Sequence, residues 1–287
     1  MNHRLQIWNG FYANFRWSVE CNIGYLCDII RATSKCGLQL QGARTLEVGT
    51  GWIPTLPLGM HLLGAQVHTY DHVRHLRTVN LAKLVDLYPE YLLTLAEAAQ
   101  CDAALSEGSL RDFKSEGSAA SLDDWFRPFG VHYHAPGDAS QSGIPDSSLD
   151  LYFSVAVLEH VSKTAIKAML GEAHRILRSG GLTYPVIGMF DRYTNVDPSI
   201  TRVNFLKFNE LTWRLIGQNK INYHNRLRES EFIALFEEAG FEIVDRRSEV
   251  DEPSLKALET MRLAPKYRCF DKRDLATFGG ILTARKP

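Results

Sequence analysis

The stretch Arg44 to Gly59, reading RTLEVGTGWIPTLPLG, limits what this chain can fold into more than any other. It predicts a short apolar strand, a glycine turn and a helix. Such a turn lets backbone amides and a helix N-terminus come close to a bound cofactor. Glu47, two places before the first glycine, is placed to receive a positively charged amine.

Nicotinamide and flavin sites also place a glycine turn after the first strand, but their fingerprint is GxGxxG, whose third glycine lets the helix pack closely on the strand. Here Gly49 and Gly51 are followed by Pro54 at that third position. An acid at Glu47 has no role in a dinucleotide site. The combination points to S-adenosylmethionine, whose amine is charged. Asp71 ends the next apolar run, QVHTYD, and suits ribose hydroxyls in either kind of site, so it supports a nucleoside without choosing between cofactors.

The later motifs extend this reading. GDAS spans Gly137 to Ser140, DLYFSVAVLEHV spans Asp150 to Val161, HRILRSGGL spans His174 to Leu182 and FEEAGFEIVD spans Phe236 to Asp245. With EVGTG and Asp71 in front of them, the chain resembles the class I S-adenosylmethionine-dependent methyltransferases from about Thr45 to its C-terminus, in that family's order of motifs. The departure is Ile53, where the family's longer first motif often has a third glycine. The resemblance implies an α/β, Rossmann-like fold: a mostly parallel seven-stranded sheet with an antiparallel last strand and helices on both faces. A helical N-terminal cap over residues 1–43 would precede a core over 44–287, with insertions after strand two at about 74–130 and after strand five at about 190–228.

Donor contacts carry over by motif. Glu47 would receive the methionine ammonium directly or through water, with Gly49, Thr50 and Gly51 supplying the close backbone. Asp71 would accept from the ribose hydroxyls, with His72 near the nucleoside. Asp138 would accept from the adenine amino group while Ala139 offers its amide. Ser154 and Val155 would lie below the sulfonium at the end of strand four.

The sulfonium already makes the methyl electrophilic, so the protein's task is in-line alignment of a nucleophile and exclusion of water. A hydroxyl acceptor needs a base; a carboxylate or neutral amine needs less help. His160 is the first candidate base and Asp191 the second, the alternatives being a histidine that fixes its loop and a solvated loop acid. From Arg192 to Arg228 seven lysines and arginines face two acids, a surplus of five. Arg226 and Arg228, with Tyr193, are therefore candidate acceptor-binding residues for an anionic small molecule or saccharide; a solvated basic face is the alternative.

Organisation follows from periodicity and breakers. Trp8, Phe11, Tyr12 and Phe15 share one helical face, which reads as packing. The family often covers its donor with such a segment, which would bring Tyr12 or Trp17 to the pocket. Strands are expected at 44–48, 66–71, 131–134, 150–154 and about 182–189. Helices are expected at 54–64, 75–88 and 91–105, followed by a polar Gly/Ser segment at 106–121. DDWFRPFG then returns aromatic residues to the sheet as packing. Ser162 is expected to cap the next helix and Gly180-Gly181 to end it. Pro185 argues for a bulge or a short fifth strand. A helix at 229–239, ended by Gly240, precedes FEIV and the late strand FGGILTA.

The 287 residues carry a formal charge of -1 and are 45% hydrophobic, which gives no electrostatic case for nucleic acid or an anionic membrane. No apolar run approaches the roughly 18 residues of a spanning helix, so a cytoplasmic location is expected. Five cysteines without CxxC spacing read as reduced thiols, and no metal-ligand set is recognisable. Amino-methylating DNA enzymes need [DN]PP[YF] after strand four, where this chain has SVAVLEH. Aminopropyl transfer lacks a second acidic motif. The rival reading is a non-catalytic donor-binding scaffold on the same fold.

Overall fold

The computed structural model describes residues 14–116, 121–126, 129–217 and 223–287. Seven strands form one sheet: β1 (Arg44–Val48), β2 (Gln66–Tyr70), β3 (Val131–His134), β4 (Leu149–Val155), β5 (Leu177–Gly188), β6 (Glu242–Val250) and β7 (Thr277–Arg285). Their order is β3-β2-β1-β4-β5-β7-β6. The last strand inserts beside β5 and runs antiparallel to β6, with Glu242 opposite Arg285 and Val250 opposite Thr277. That placement is the expected methyltransferase topology and departs from the all-parallel dinucleotide sheet.

The chain divides into two compact units, Met1–Phe153 with Arg175–Leu182, and Ser154–His174 with Thr183–Pro287. In the first unit, helix α1 (Phe15–Lys35) is capped by Asn14, whose side chain accepts from Trp17 N at 3.0 Å. Its buried positions Val19, Ile23, Leu26, Ile30 and Thr33 recur at helical spacing. The stripe at Trp8, Phe11 and Tyr12 lies outside the described residues, while Trp17 is 50% exposed.

Helix α2 (Thr55–Leu62) is apolar on nearly every side and correspondingly buried, and Pro57 is tolerated because it sits in the first turn. A Cβ on Gly59 would lie 2.2 Å from Leu26 Cδ2 and 2.4 Å from the Tyr88 hydroxyl, so only glycine lets these elements approach so closely.

Helices α3 (Thr78–Leu87), α4 (Leu92–Ala99), α5 (Ala103–Glu116) and α6 (Leu122–Phe126) fill the segment after β2. The expected polar segment from 106 is instead helical through Glu116. Ser106, Leu110 and Phe113 are buried at i, i+4 and i+7, an apolar face that the surrounding serines and charges hide from a composition-based reading. Phe113 then packs against Trp125, Phe126 and Phe129, the aromatic packing expected of DDWFRPFG.

Helix α7 (Lys163–Ile176) begins at Ser162, whose hydroxyl accepts from Ala165 N at 3.2 Å. It ends before the double glycine. Gly180 and Gly181 lie inside β5, and a Cβ on Gly181 would meet the Arg178 carbonyl at 2.9 Å. The fifth strand is therefore long, and it runs through a buried Pro185.

In the second unit, 3-10 turns at Arg192–Asn195 and Asn204–Lys207 precede α8 (Glu210–Ile216), α9 (Glu229–Glu238), α10 (Glu252–Ala257) and α11 (Lys272–Ala276). Phe205, Leu206, Trp213, Tyr267, Leu275 and Ala276 form a core of this unit.

Candidate functional site

The donor-side residues of the first unit stand where β1, β2 and β3 end. Register pairs Glu47 with Thr69 and Val48 with Tyr70, so the turn after β1 begins beside the end of β2. Gly49 (φ 89°) and Gly51 (φ 65°) occupy the left-handed region, which an L side chain would strain. Gly51 N donates to Asp71 Oδ2 at 2.8 Å, tying the turn to the residue that follows β2. A Cβ on Gly51 would meet nothing nearer than Gly49 O at 4.0 Å, so the turn keeps room beside its backbone.

The loop at 137–140 is tied to the same place. Asp71 N donates to His134 O at 3.0 Å and Gly137 N to Asp71 O at 2.9 Å. A Cβ on Gly137 would lie 2.7 Å from His134 O, which explains glycine there. Asp138 is exposed, and its Oδ1 accepts from Ser140 N at 2.8 Å and from the Ser140 hydroxyl at 2.7 Å. Ala139 is buried and His72 is exposed beside Asp71. Glu47, Gly49, Thr50, Gly51, Asp71, Asp138 and Ala139 are thus linked through one set of strand ends.

Glu47 is buried, and its Oε2 accepts from the Thr69 hydroxyl at 2.5 Å. Burial pushes its carboxyl up to about 7, opposed by the Thr69 bond and aided by the nearby Asp71. The Thr69 and Thr50 hydroxyls are hydrogen-bonded to each other. Sequence reasoning missed Thr69, though its place opposite Glu47 follows once the two strands are aligned. A buried carboxyl, two hydroxyls and an open turn fit a donor that carries an ammonium group.

In the second unit, Ser154 is buried and Val155 half-buried at the end of β4. Ala156 follows in the left-handed region (φ 55°), and its N–H donates to Val186 O at 2.9 Å. His160 is half-buried, with Nδ1 2.8 Å from Tyr223 O. Because a carbonyl only accepts, Nδ1 carries the proton and Nε2 holds the lone pair. Burial, then the neighbouring Arg192, lowers His160 to about 4.

The adjoining residues Glu159 and Asn225 were not singled out by sequence. Asn225 Nδ2 donates to Leu158 O at 2.7 Å and Val161 O at 2.8 Å, and Asn225 N donates to Glu159 O at 3.0 Å, so this side chain clamps the loop that carries His160. Buried Glu159 pairs with Arg192 at 2.8 Å.

Three expected site residues have other work. Asp191 is buried and accepts from Tyr193 N at 3.0 Å and Asn204 Nδ2 at 3.4 Å, capping the 3-10 turn that follows; burial is the largest effect on its carboxyl and raises it. Its oxygens are spent on local backbone and a neighbouring amide rather than on an acceptor.

Arg226 is fully buried: Nη1 donates to Phe205 O at 2.9 Å and Phe208 O at 2.7 Å, while Nη2 meets Glu210 at 2.7 Å. Its guanidinium also lies 4.9 Å from the Trp213 ring centroid. Arg228, equally buried, donates to Met189 O at 2.6 Å, to Leu227 O at 3.0 Å, and to Leu275 O and Thr277 O at 3.3 Å each. Both arginines are internal carbonyl clamps. Their burial and their bonds to internal carbonyls speak against the acceptor forks expected of them. Tyr193 is 41% exposed, and its hydroxyl donates to Ile216 O at 3.3 Å.

Among the described residues, no helix is long and apolar enough to cross a membrane. Residues 105–184 match the family model described as a methyltransferase domain. No curated protein matches the chain. Among solved structures, geranyl diphosphate C-methyltransferase from Streptomyces coelicolor aligns over 93% of this chain and 78% of its own, with 11% identity and a TM-score of 0.50. An S-adenosylmethionine-dependent methyltransferase from Methanosarcina mazei aligns over 87% and 94%, with 18% identity and a TM-score of 0.46. Magnesium protoporphyrin IX methyltransferase from Synechocystis aligns over 93% and 83%, with 12% identity and a TM-score of 0.48. At such identities likeness speaks to fold alone. With strand order, motif order and matched domain in agreement, the chain has the class I, Rossmann-like methyltransferase fold.

Proposed function

We propose that this enzyme methylates a hydroxyl of a small molecule or saccharide in the cytoplasm, with His160 as the group that receives the hydroxyl proton. The observation that carries this reading is the bond from His160 Nδ1 to Tyr223 O, which leaves Nε2 as the acceptor. Bound S-adenosylmethionine supplies the electrophilic methyl. On the donor side Glu47, Thr50, Asp71, Asp138 and Ala139 would hold it, with Gly49 and Gly51 giving close backbone approach and His72 beside the nucleoside. His160 is a weak base, and that is sufficient: a hydroxyl oxygen becomes strongly acidic as it gains a methyl group, so the proton leaves late and downhill.

The acceptor need not be anionic. Of the basic residues after β5, Arg226 and Arg228 are internal, Arg192 pairs with Glu159, and Arg202 lies over the Phe278 ring at 3.9 Å and 3.7 Å from Asp251. Tyr193 remains an exposed candidate for contacting the acceptor.

Methyl-labelled donor incubated with hydroxyl, carboxylate and amine small molecules and with saccharides tests the reading. Label in an ether is expected. Label in an ester or an N-methyl group would move the assignment to a carboxylate or amine, and label in no acceptor would leave a donor-binding scaffold.

A further inference from the structure

We infer that Thr69 and Thr50 form a two-hydroxyl relay that carries the charge of Glu47 to the donor's ammonium group at the glycine turn. This rests on the assignment of the turn to S-adenosylmethionine. Geometry fixes the proton order. The Thr69 hydroxyl has a single hydrogen, and it donates to Glu47 Oε2 at 2.5 Å. Thr69 must therefore accept in its bond with Thr50, so Thr50 donates inward. A Thr50 oxygen that has spent its hydrogen inward has only lone pairs left for a ligand. It becomes an acceptor beside Gly49 and Gly51, which is what an ammonium group requires.

The position of each residue supports the relay. Glu47 and Thr69 are register partners on adjacent parallel strands, and Thr50 follows one residue after Gly49 in the turn. Glu47, Thr50 and Thr69 are all buried, so each hydroxyl orientation is set by its protein partner rather than by bulk water. Thr69→Val keeps the shape of the side chain and removes both hydrogen-bonding roles. Without that link Thr50 is free to turn its hydrogen toward the ligand, and the acceptor is lost.

Isothermal titration with S-adenosylhomocysteine and with 5′-methylthioadenosine, which lacks the amino-acid portion, separates the relay from simple packing. Thr69→Val and Thr50→Val are each expected to weaken S-adenosylhomocysteine about tenfold while leaving 5′-methylthioadenosine unchanged. Thr69→Ser, which keeps the hydroxyl, should bind like the parent. In a Thr69→Val background, adding Thr50→Val should cost nothing further. Parental affinity for S-adenosylhomocysteine in Thr69→Val, with affinity lost in Glu47→Gln, would mean that the carboxylate meets the ammonium directly and would overturn the relay. Equal losses for both ligands would reduce it to turn packing. If Thr69→Val does not fold, the Thr50→Val and Thr69→Ser pair decides between the same outcomes. A parent protein that binds neither ligand would instead remove the donor assignment.

Discussion

Arg192 Nη2 lies 2.8 Å from Glu159 Oε1, and Gly188 N donates to that same oxygen at 3.3 Å. The Glu159 side chain is 1% exposed and that of Arg192 29%. Burial raises the Glu159 carboxyl and Arg192 partly offsets it. Arg192→Met would leave a buried charge alone, so it should cost about 3 kcal/mol of stability near neutral pH. The cost should shrink as pH falls and Glu159, already raised by burial, takes a proton. Urea melts at several pH values check this, and the double variant Glu159→Gln with Arg192→Met should recover part of the loss.

Arg228→Met should destabilise the protein by about 3 kcal/mol or more, because Met189, Leu227, Leu275 and Thr277 would lose a shared donor. Arg228→Lys should not restore it, since an ammonium cannot span carbonyls that a planar guanidinium reaches together. The midpoint of denaturant unfolding should fall, while the acceptor KM of the protein that remains folded stays put. A changed KM at unchanged stability would return Arg228 to the acceptor.

These arginines show where sequence reading stops. Charge and spacing are visible in a sequence, but the same RLR segment serves equally as a solvated face, a ligand fork or a carbonyl clamp. Which one it is depends on distant carbonyls at Met189, Leu275 and Thr277. By contrast, β1 and β3 were legible to the residue, because each is a short run of strand-forming residues set off by glycine or proline. The double glycine misled: its local preference is for a turn, yet the strand pairing of β5 runs through it. The turn after β1 was legible because its left-handed backbone favours glycine. Thr69 was not, because a threonine in a strand is ordinary until its partner is known.

Glu47 makes the protein's stability depend on pH in an unusual direction. Its folded-state carboxyl stands at about 7 against an ordinary 4.5. Between those values the folded state binds more protons than the unfolded state, so this group's contribution falls as pH rises. The loss amounts to about 3 kcal/mol from pH 4.5 to pH 7. The difference in unfolding free energy between parent and Glu47→Gln, followed across that window, should show this slope. A flat difference would contradict it.

His160, held near 4 by burial and Arg192, is neutral through the physiological range. Its contribution to kcat/KM should be level above about pH 5 and should fall as the imidazole protonates near pH 4. His160→Gln should lower kcat about a hundredfold with little change in KM. Asn225→Ala, which releases the loop without touching the imidazole, should lower kcat less.

The backbone bonds from Asp71 N to His134 O and from Gly137 N to Asp71 O lock Asp71 and the loop at 137–140 to one strand register. On the proposed donor assignment, the half of the donor common to every adenosyl compound would meet a preset frame that pays little ordering cost on binding. Product retains that same adenosyl half, so it should compete strongly with donor, and turnover in this enzyme should be governed by how fast spent nucleoside leaves.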